Sequence, residues 1–188
     1  MKKLLLTCGL FAAIVTTYGQ GQFTFANDST TRFTTNNLGN VGNMTGLNQF
    51  RIGLYTAAPG TANESLFTLV AVATNSSSPI ALGLFSYPES PFTLAGNNGT
   101  PIAVQVRAWS LAAGASYEAA VGSANALTGK TPIGAITPAV GGAPPPALFG
   151  PGATFASGIQ LTSIVPEPSS IALGLLGLGA IALFRRRK

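Results

Sequence analysis

Polar and apolar side chains alternate along residues 102–109, and this run limits the possible folds more than any other part of the chain. Gln105 and Arg107 take odd positions, while the even positions are apolar. A period of two is typical of a β-strand that buries one face. Further apolar or alternating runs lie between clusters of Asn, Gly, Ser and Pro, at 22–26, 50–55, 66–74, 82–87 and 154–164. The pattern predicts one all-β domain, a β-sandwich or barrel of about six to eight strands.

Two stretches interrupt the strand pattern within the body of the chain, residues 20–164. Residues 116–126 predict a short helix or turn beside the sheet. Residues 137–152 are rich in Gly and contain three consecutive prolines, so they predict a loop or an extended polyproline segment. Five asparagines begin N-x-[ST] sequences and are predicted to lie on exposed loops: Asn27, Asn43, Asn63, Asn75 and Asn98.

The charged residues are few and lie mainly at the two ends. Only 8% of the 188 residues are charged, against roughly 25% in ordinary soluble domains. The net charge of +5 comes from Lys2, Lys3 and the basic C-terminus. In the body, the basic residues Arg32, Arg51, Arg107 and Lys130 are balanced by Asp28, Glu64, Glu89 and Glu118. A neutral body has no basic stripe to neutralise phosphates, so we expect no nucleic-acid partner.

The N-terminus has the pattern of a secretory signal peptide, residues 1–19. Two lysines precede the apolar residues 4–15, and Thr17 and Gly19 are small residues at the −3 and −1 positions of a cut after Gly19. The one cysteine, Cys8, lies inside this segment. Removal of the segment would leave a body without cysteine, which must fold without a disulfide.

The C-terminal tail, residues 165–188, combines a Pro-Glu-Pro triplet, an apolar stretch and a basic cluster. As a helix, residues 171–184 would span roughly 21 Å at about 1.5 Å per residue, against a hydrocarbon core about 30 Å thick. The stretch is therefore predicted to be a marginal transmembrane helix that crosses with local thinning of the bilayer or with arginine side chains snorkelling to the interface. The cluster is predicted to stop transfer and stay cytoplasmic, with the body outside: Arg185, Arg186, Arg187 and Lys188.

This ordered trio at the end of an exported chain resembles the PEP-CTERM sorting domain, with Pro166, Glu167 and Pro168 as the matching motif. The resemblance implies that an exosortase, a membrane-embedded cysteine protease, recognises and processes the tail. The two prolines favour extended geometry around Glu167, which is how proteases generally bind a chain. The VQVRAW strand followed by SYEAA and a Pro/Gly-rich stretch also resembles the bodies of Verrucomicrobia-type PEP-CTERM proteins.

The residues of most catalytic sites are missing from the sequence. It contains no histidine, so a serine triad lacks its usual base. Metal-ligand spacings and phosphate-binding glycine motifs are also missing. The four carboxylates of the body lie far apart in sequence. We therefore expect no enzyme activity, no cofactor and no bound metal.

Trp109 is the one candidate ligand contact in the body. Its ring suits stacking on a sugar, although a lone Trp at a strand end more often belongs to the core or its rim. Arg107 and Glu118 are interpreted as a surface ion pair of small energetic weight.

These features favour a structural or interaction protein of the cell surface or exopolysaccharide matrix, tethered to the membrane before processing. The alternative is a carbohydrate-binding module or adhesin. One face that carries Tyr55, Tyr87, Trp109 and Tyr117 would support it, and burial of these aromatic side chains would count against it. A third hypothesis, an exported hydrolase, needs two carboxylates within about 5 to 10 Å of each other.

Overall fold

The computed structural model describes residues 20–46, 49–76 and 78–163. Its ten strands are β1 (Gly21–Phe23), β2 (Thr34–Asn37), β3 (Asn40–Asn43), β4 (Phe50–Ala57), β5 (Thr68–Thr74), β6 (Phe92–Leu94), β7 (Ile102–Ser110), β8 (Leu127–Lys130), β9 (Gly134–Ile136) and β10 (Gln160–Ser163). Helical structure in this part is limited to two 3-10 helices, Glu64–Leu66 and Leu111–Ala113, and one short α-helix, α1 (Tyr117–Val121). The all-β prediction is confirmed, with more strands than the six to eight expected.

Eight strands form one large sheet with β7 near its centre. The strands lie in the order β3-β2-β10-β8-β7-β4-β5. β8 and β9 pair with the same side of β7, β9 along its start and β8 along its end. All neighbours are antiparallel except β10 and β2, which run parallel. The last described strand of the chain therefore lies inside the sheet.

A second, smaller sheet of β1 and β6 covers one face of the large one. Single backbone bridges extend the pairing from the end of β5 through this layer and towards β9: Asn75 to Phe85, Ser86 to Ala26 and Gln22 to Ala139. Segments from both ends of the described chain thus enclose a common interior.

Phenylalanine rings fill the interior between the two layers. Phe85 contacts three of them, with ring centroids 5.1 Å from Phe25, 5.1 Å from Phe33 and 5.8 Å from Phe149. Tilted and edge-to-face contacts of this kind are the favoured aromatic geometry. The even-numbered side chains of β7, which include Val104 and Val106, close the core from the large sheet.

The second face of β7 is also buried, which the alternating sequence did not predict. Every residue of β7 except Ser110 is buried. The 3-10 helix Glu64–Leu66 and α1 lie over the odd-numbered residues, where Arg107 contacts both. Polar residues at odd positions therefore mark a covered polar layer.

Several local predictions fared differently. The short helix expected in 116–126 is confirmed as α1, and 137–152 contains no named strand. The Asn- and Gly-rich stretch 36–46, which the sequence predicts as a turn, instead contains the β2–β3 hairpin. Leu38 and Gly39 both adopt positive φ (52° and 92°), as a type I′ hairpin turn requires. Residues 82–87 form only bridges.

Of the five asparagines predicted on exposed loops, Asn63 and Asn98 are exposed outside the strands, Asn43 is exposed but ends β3, and Asn27 and Asn75 are not exposed. Asn75 is 2% exposed, and its amide oxygen accepts a hydrogen bond from the Phe50 backbone at 3.0 Å. The side chain of Asn27 bonds to the backbone of Thr31 and Phe85. The exposed-loop prediction is wrong for these residues, because their amides satisfy buried backbone groups where strands end.

Candidate functional site

The residues predicted for sorting and processing lie outside the described ranges. They are Gly19 at the signal-peptide cut, Pro166, Glu167 and Pro168 of the motif, and Arg185, Arg186, Arg187 and Lys188 of the basic cluster. Within the described ranges, no helix combines the length and apolar character that crossing a bilayer requires.

The last described strand before the tail is β10, which ends at Ser163. β10 lies between β2 and β8, with Gln160 opposite Thr34 and Thr162 opposite Thr128. Leu161 is fully buried in the core. The two β10 ladders therefore fix the chain up to Ser163.

The main polar constellation of the body is centred on Arg107, and we call it the Arg107 cluster: Tyr55, Glu64, Gln105, Arg107, Tyr117, Glu118 and Lys130. The Arg107 side chain is 8% exposed. Its Nε donates to Gln105 Oε1 at 2.9 Å, its Nη1 donates to Glu118 Oε1 at 2.9 Å, and its Nη2 donates to the Glu64 carbonyl at 3.0 Å. Hydrogen bonds of this kind are needed to hold a guanidinium away from water.

Two tyrosine rings complete the surroundings of the guanidinium. Arg107 Cζ lies 4.2 Å from the centroid of Tyr55 and 5.6 Å from that of Tyr117, within the range of cation–π attraction. Burial, reinforced by the nearby negative charge of Glu118, raises the pKa of Tyr55 to about 12. Tyr55 therefore stays neutral, and its hydroxyl faces Glu118 Oε1 at 3.5 Å.

Glu64 connects this buried layer to the surface. Its carboxylate pairs with Lys130 and accepts a hydrogen bond from Gln105 Nε2 at 3.1 Å. These two hydrogen bonds hold the pKa of Glu64 below its usual value, and the one from Lys130 has the larger effect. A general acid of a glycosidase needs a raised pKa, so the environment of Glu64 opposes that role.

Two of the four acidic residues of the body contact Arg107. Glu64 and Glu118 both contact Arg107, one through its backbone and one through its carboxylate. Asp28 instead accepts hydrogen bonds from Thr30 and Thr31 in its own turn, which lower its pKa. The interpretation of Arg107 and Glu118 as a pair is confirmed, but Arg107 is buried because α1 covers it.

Trp109 is completely buried, so the structure corrects its prediction as a ligand contact. Its Nε1 donates to the Gly114 carbonyl at 3.1 Å, and the ring packs against Ala120 and Tyr117. The physical reason is again α1, whose Ser116 N-cap accepts from the Ala119 backbone and anchors the helix over this end of β7. No face of the indole is left for a sugar.

The tyrosines do not form an exposed aromatic face either. Tyr55 lies on the outer face of the large sheet, outside the main core, and is only 3% exposed. Tyr87 lies in the other layer, against Phe25 and Phe92. The sequence contained a signal for the covering helix, since SYEAA begins with a good N-cap and continues with helix-forming residues.

Other surface features of the described ranges offer little chemistry. No group of three or more His, Cys, Asp or Glu side chains there could hold a metal ion. A recess of about 520 Å³ is lined by uncharged, mostly small residues, including Ile136, Pro146 and Thr154.

Comparison with known protein families supplies the functional assignment of the tail. Residues 165–188 match the family model of the PEP-CTERM protein-sorting motif. This motif supports an exported protein that is membrane-associated until an exosortase, itself a membrane protein, processes it. No curated protein and no solved structure matches the chain. The motif begins at residue 165, two positions after β10 ends at Ser163.

Proposed function

We propose that this chain is an exosortase substrate whose body, residues 20–164, has a structural or interaction role at the cell surface or in the exopolysaccharide matrix. The observation that carries the proposal is the sorting motif at 165–188. A signal peptide cut after Gly19 exports the body, and the apolar tail tethers it. The basic cluster Arg185–Lys188 then stays on the cytoplasmic side.

Within the tail, Pro166, Glu167 and Pro168 form the recognition element. The two prolines restrict φ and favour an extended chain that fits a protease cleft. Glu167 supplies the one carboxylate beside the apolar segment. Because the body ends in a strand held on both sides, the enzyme meets this element next to a folded domain.

The body is proposed to be non-enzymatic. The charged groups of the Arg107 cluster are paired with one another, and the pKa of Glu64 is lowered. Such a cluster stabilises the outer face of the sheet, and the lowered pKa of Glu64 makes this carboxylate a poor proton donor. The burial of Trp109 and Tyr55 counts against the carbohydrate-binding alternative. The likeness of the body to Verrucomicrobia-type PEP-CTERM proteins stays a prediction.

The test is the intact mass of the protein from native cells, with and without the exosortase gene. We expect wild-type cells to yield a species that lacks Arg185–Lys188, and the deletion strain to retain these residues. A Glu167→Gln variant and a Pro166→Ala/Pro168→Ala variant should accumulate the uncut form. Pro144→Ala, which changes an exposed proline of the body, is the matched control and should be processed normally. Retention of the tail in both strains would contradict the proposal.

A further inference from the structure

The first strand of the body begins close to the predicted end of the signal peptide. β1 (Gly21–Phe23) is separated from a cut after Gly19 by a single residue. It pairs antiparallel with β6 on one side, and on the other side Gln22 exchanges two backbone hydrogen bonds of 2.8 Å with Ala139. Gly21 is buried, and Phe23 lies fully inside the core. A cut after Gly19 therefore leaves β1 whole, whereas a cut after Gly21 would remove a residue that pairs within the sheet.

Gln20 is the residue that this cut would place at the N-terminus. It is exposed, and it lines a recess of about 160 Å³ together with Gln22 and residues 139–143. Neither its backbone nitrogen nor its side-chain amide forms a hydrogen bond with another described residue. The side-chain amide of Gln22, in contrast, donates to Thr93 Oγ1 at 3.4 Å. The two reactive groups of Gln20 are therefore available to each other.

The recess beside Gln20 offers no counter-ion to an amine. All of its lining residues are uncharged, and an opposite charge within about 4–6 Å is what favours the charged form of a titrating group. Free α-amino groups titrate close to physiological pH, so the neutral, nucleophilic form of the amine is populated there. These surroundings favour reaction of the amine over its retention as a cation.

We propose that Gln20, once the signal peptide is cut after Gly19, cyclises to an N-terminal pyroglutamate. This inference rests on the export step of the proposed function. The α-nitrogen attacks Cδ of its own side-chain amide, so that the N–Cδ bond forms and the Cδ–Nε2 bond breaks. Nε2 leaves as ammonia and takes the proton that the α-nitrogen gives up, and nothing is oxidised or reduced. Because both groups belong to one residue, the reaction has the advantage of an intramolecular step.

The closed ring would protect the start of β1. Aminopeptidases act on a free N-terminal amine, and the ring has none. Residue-by-residue trimming from Gln20 would next reach Gly21 and Gln22, whose backbone pairing joins β6 to the segment at Ala139. A blocked N-terminus therefore suits an exported body that has no disulfide to hold its first strand in place.

Mass spectrometry of the N-terminal peptide tests the inference on the full-length protein extracted from native cells. Trypsin releases residues 20–32, because Arg32 is the first basic residue after the cut. We expect this peptide to lack the mass of one ammonia molecule, with the closed form several-fold more abundant than the open form. A synthetic peptide of residues 20–32 with an open glutamine, carried through the same procedure, measures cyclisation during handling. A closed fraction no larger than that of the synthetic peptide, or a mature chain that begins at another residue, would overturn the inference.

A variant tests the protective effect of the ring. Gln20→Asn keeps a side-chain amide but shortens it by one methylene, so that closure would require a strained four-membered ring. This chain should stay open, and an aminopeptidase added to the folded protein should remove its first residue while the wild-type chain keeps its full length. Equal trimming of the two chains would contradict the proposal.

The N-terminal peptide is measured separately from the tail of the same chain. An open Gln20 on a chain whose tail has been processed would overturn this inference alone. A chain that retains residues 1–19 would overturn the export step of the proposed function, and this inference with it.

Discussion

The two faces of the large sheet are buried by opposite means. The inner face packs against phenylalanine rings, with Phe33 and Phe85 at its centre. The outer face of β7 holds Gln105 and Arg107 under two short helices, connected by hydrogen bonds and a cation–π contact. Apolar burial contributes in proportion to area, whereas a buried polar layer contributes only when its groups are satisfied. The inner face should therefore dominate stability, while the outer face depends on its geometry.

The largest effect is expected from Phe85→Ala on the inner face. This change removes a ring that contacts Phe25, Phe33 and Phe149, and truncation of a core Phe costs about 3–5 kcal/mol. Urea unfolding of the full-length chain in detergent, followed by the fluorescence of its one tryptophan, measures the loss. If Phe85→Ala lowers the free energy of unfolding by less than Arg107→Met on the outer face, the ranking of the two faces is contradicted.

The next effect is expected from Arg107→Met on the outer face. Methionine fills similar space but leaves Gln105 Oε1 and the Glu64 carbonyl without these donors, at a cost of about 2–3 kcal/mol. Arg51→Met is the matched control, on the neighbouring strand, where no ion pair of Arg51 exists among the described residues. The control should change the free energy of unfolding by less than about 0.5 kcal/mol. Equal losses in the free energy of unfolding for Arg107→Met and Arg51→Met would show that the Arg107 cluster adds no stability of its own.

Acid should weaken the outer face through Glu64. Its pKa in the folded state lies below the usual 4.5, so the unfolded chain binds the proton more readily. The stabilisation is present above pH 4.5 and is lost as the pH falls through the lowered pKa. The Glu64 side chain is 42% exposed, so the effect is small. Urea titrations at several pH values should show a shallower acid decline for Glu64→Gln than for wild type.

The smallest effect is expected from Lys130→Met. The Lys130 side chain is 44% exposed, and exposed ion pairs contribute about 0–1 kcal/mol. A double-mutant cycle with Glu64→Gln isolates the pair and should give a coupling energy that falls in high salt. A coupling energy larger than the loss of unfolding free energy in Arg107→Met would show that the exposed Lys130–Glu64 pair stabilises the cluster more than the buried Arg107 does.

Local sequence patterns predicted part of this architecture well. Alternation along 102–109 identified β7, the longest strand, and SYEAA indicated α1. They worked because residue spacing determines which side chains share a face, and capping depends on near neighbours. The hairpin of β2 and β3 was missed because its polar residues carry no alternation, and its turn depends on the backbone angles of Leu38 and Gly39.

The sequence by itself determined the β character of the body, its neutrality and the sorting motif at 165–188. All three depend on residue type and local order. Only the tertiary structure decided that Arg107 and Trp109 are buried and that β10 pairs parallel with β2 inside the sheet. Alternation separates two faces of a strand but does not say what covers each one. That depends on contacts between residues far apart in the chain, such as Arg107 with Glu64.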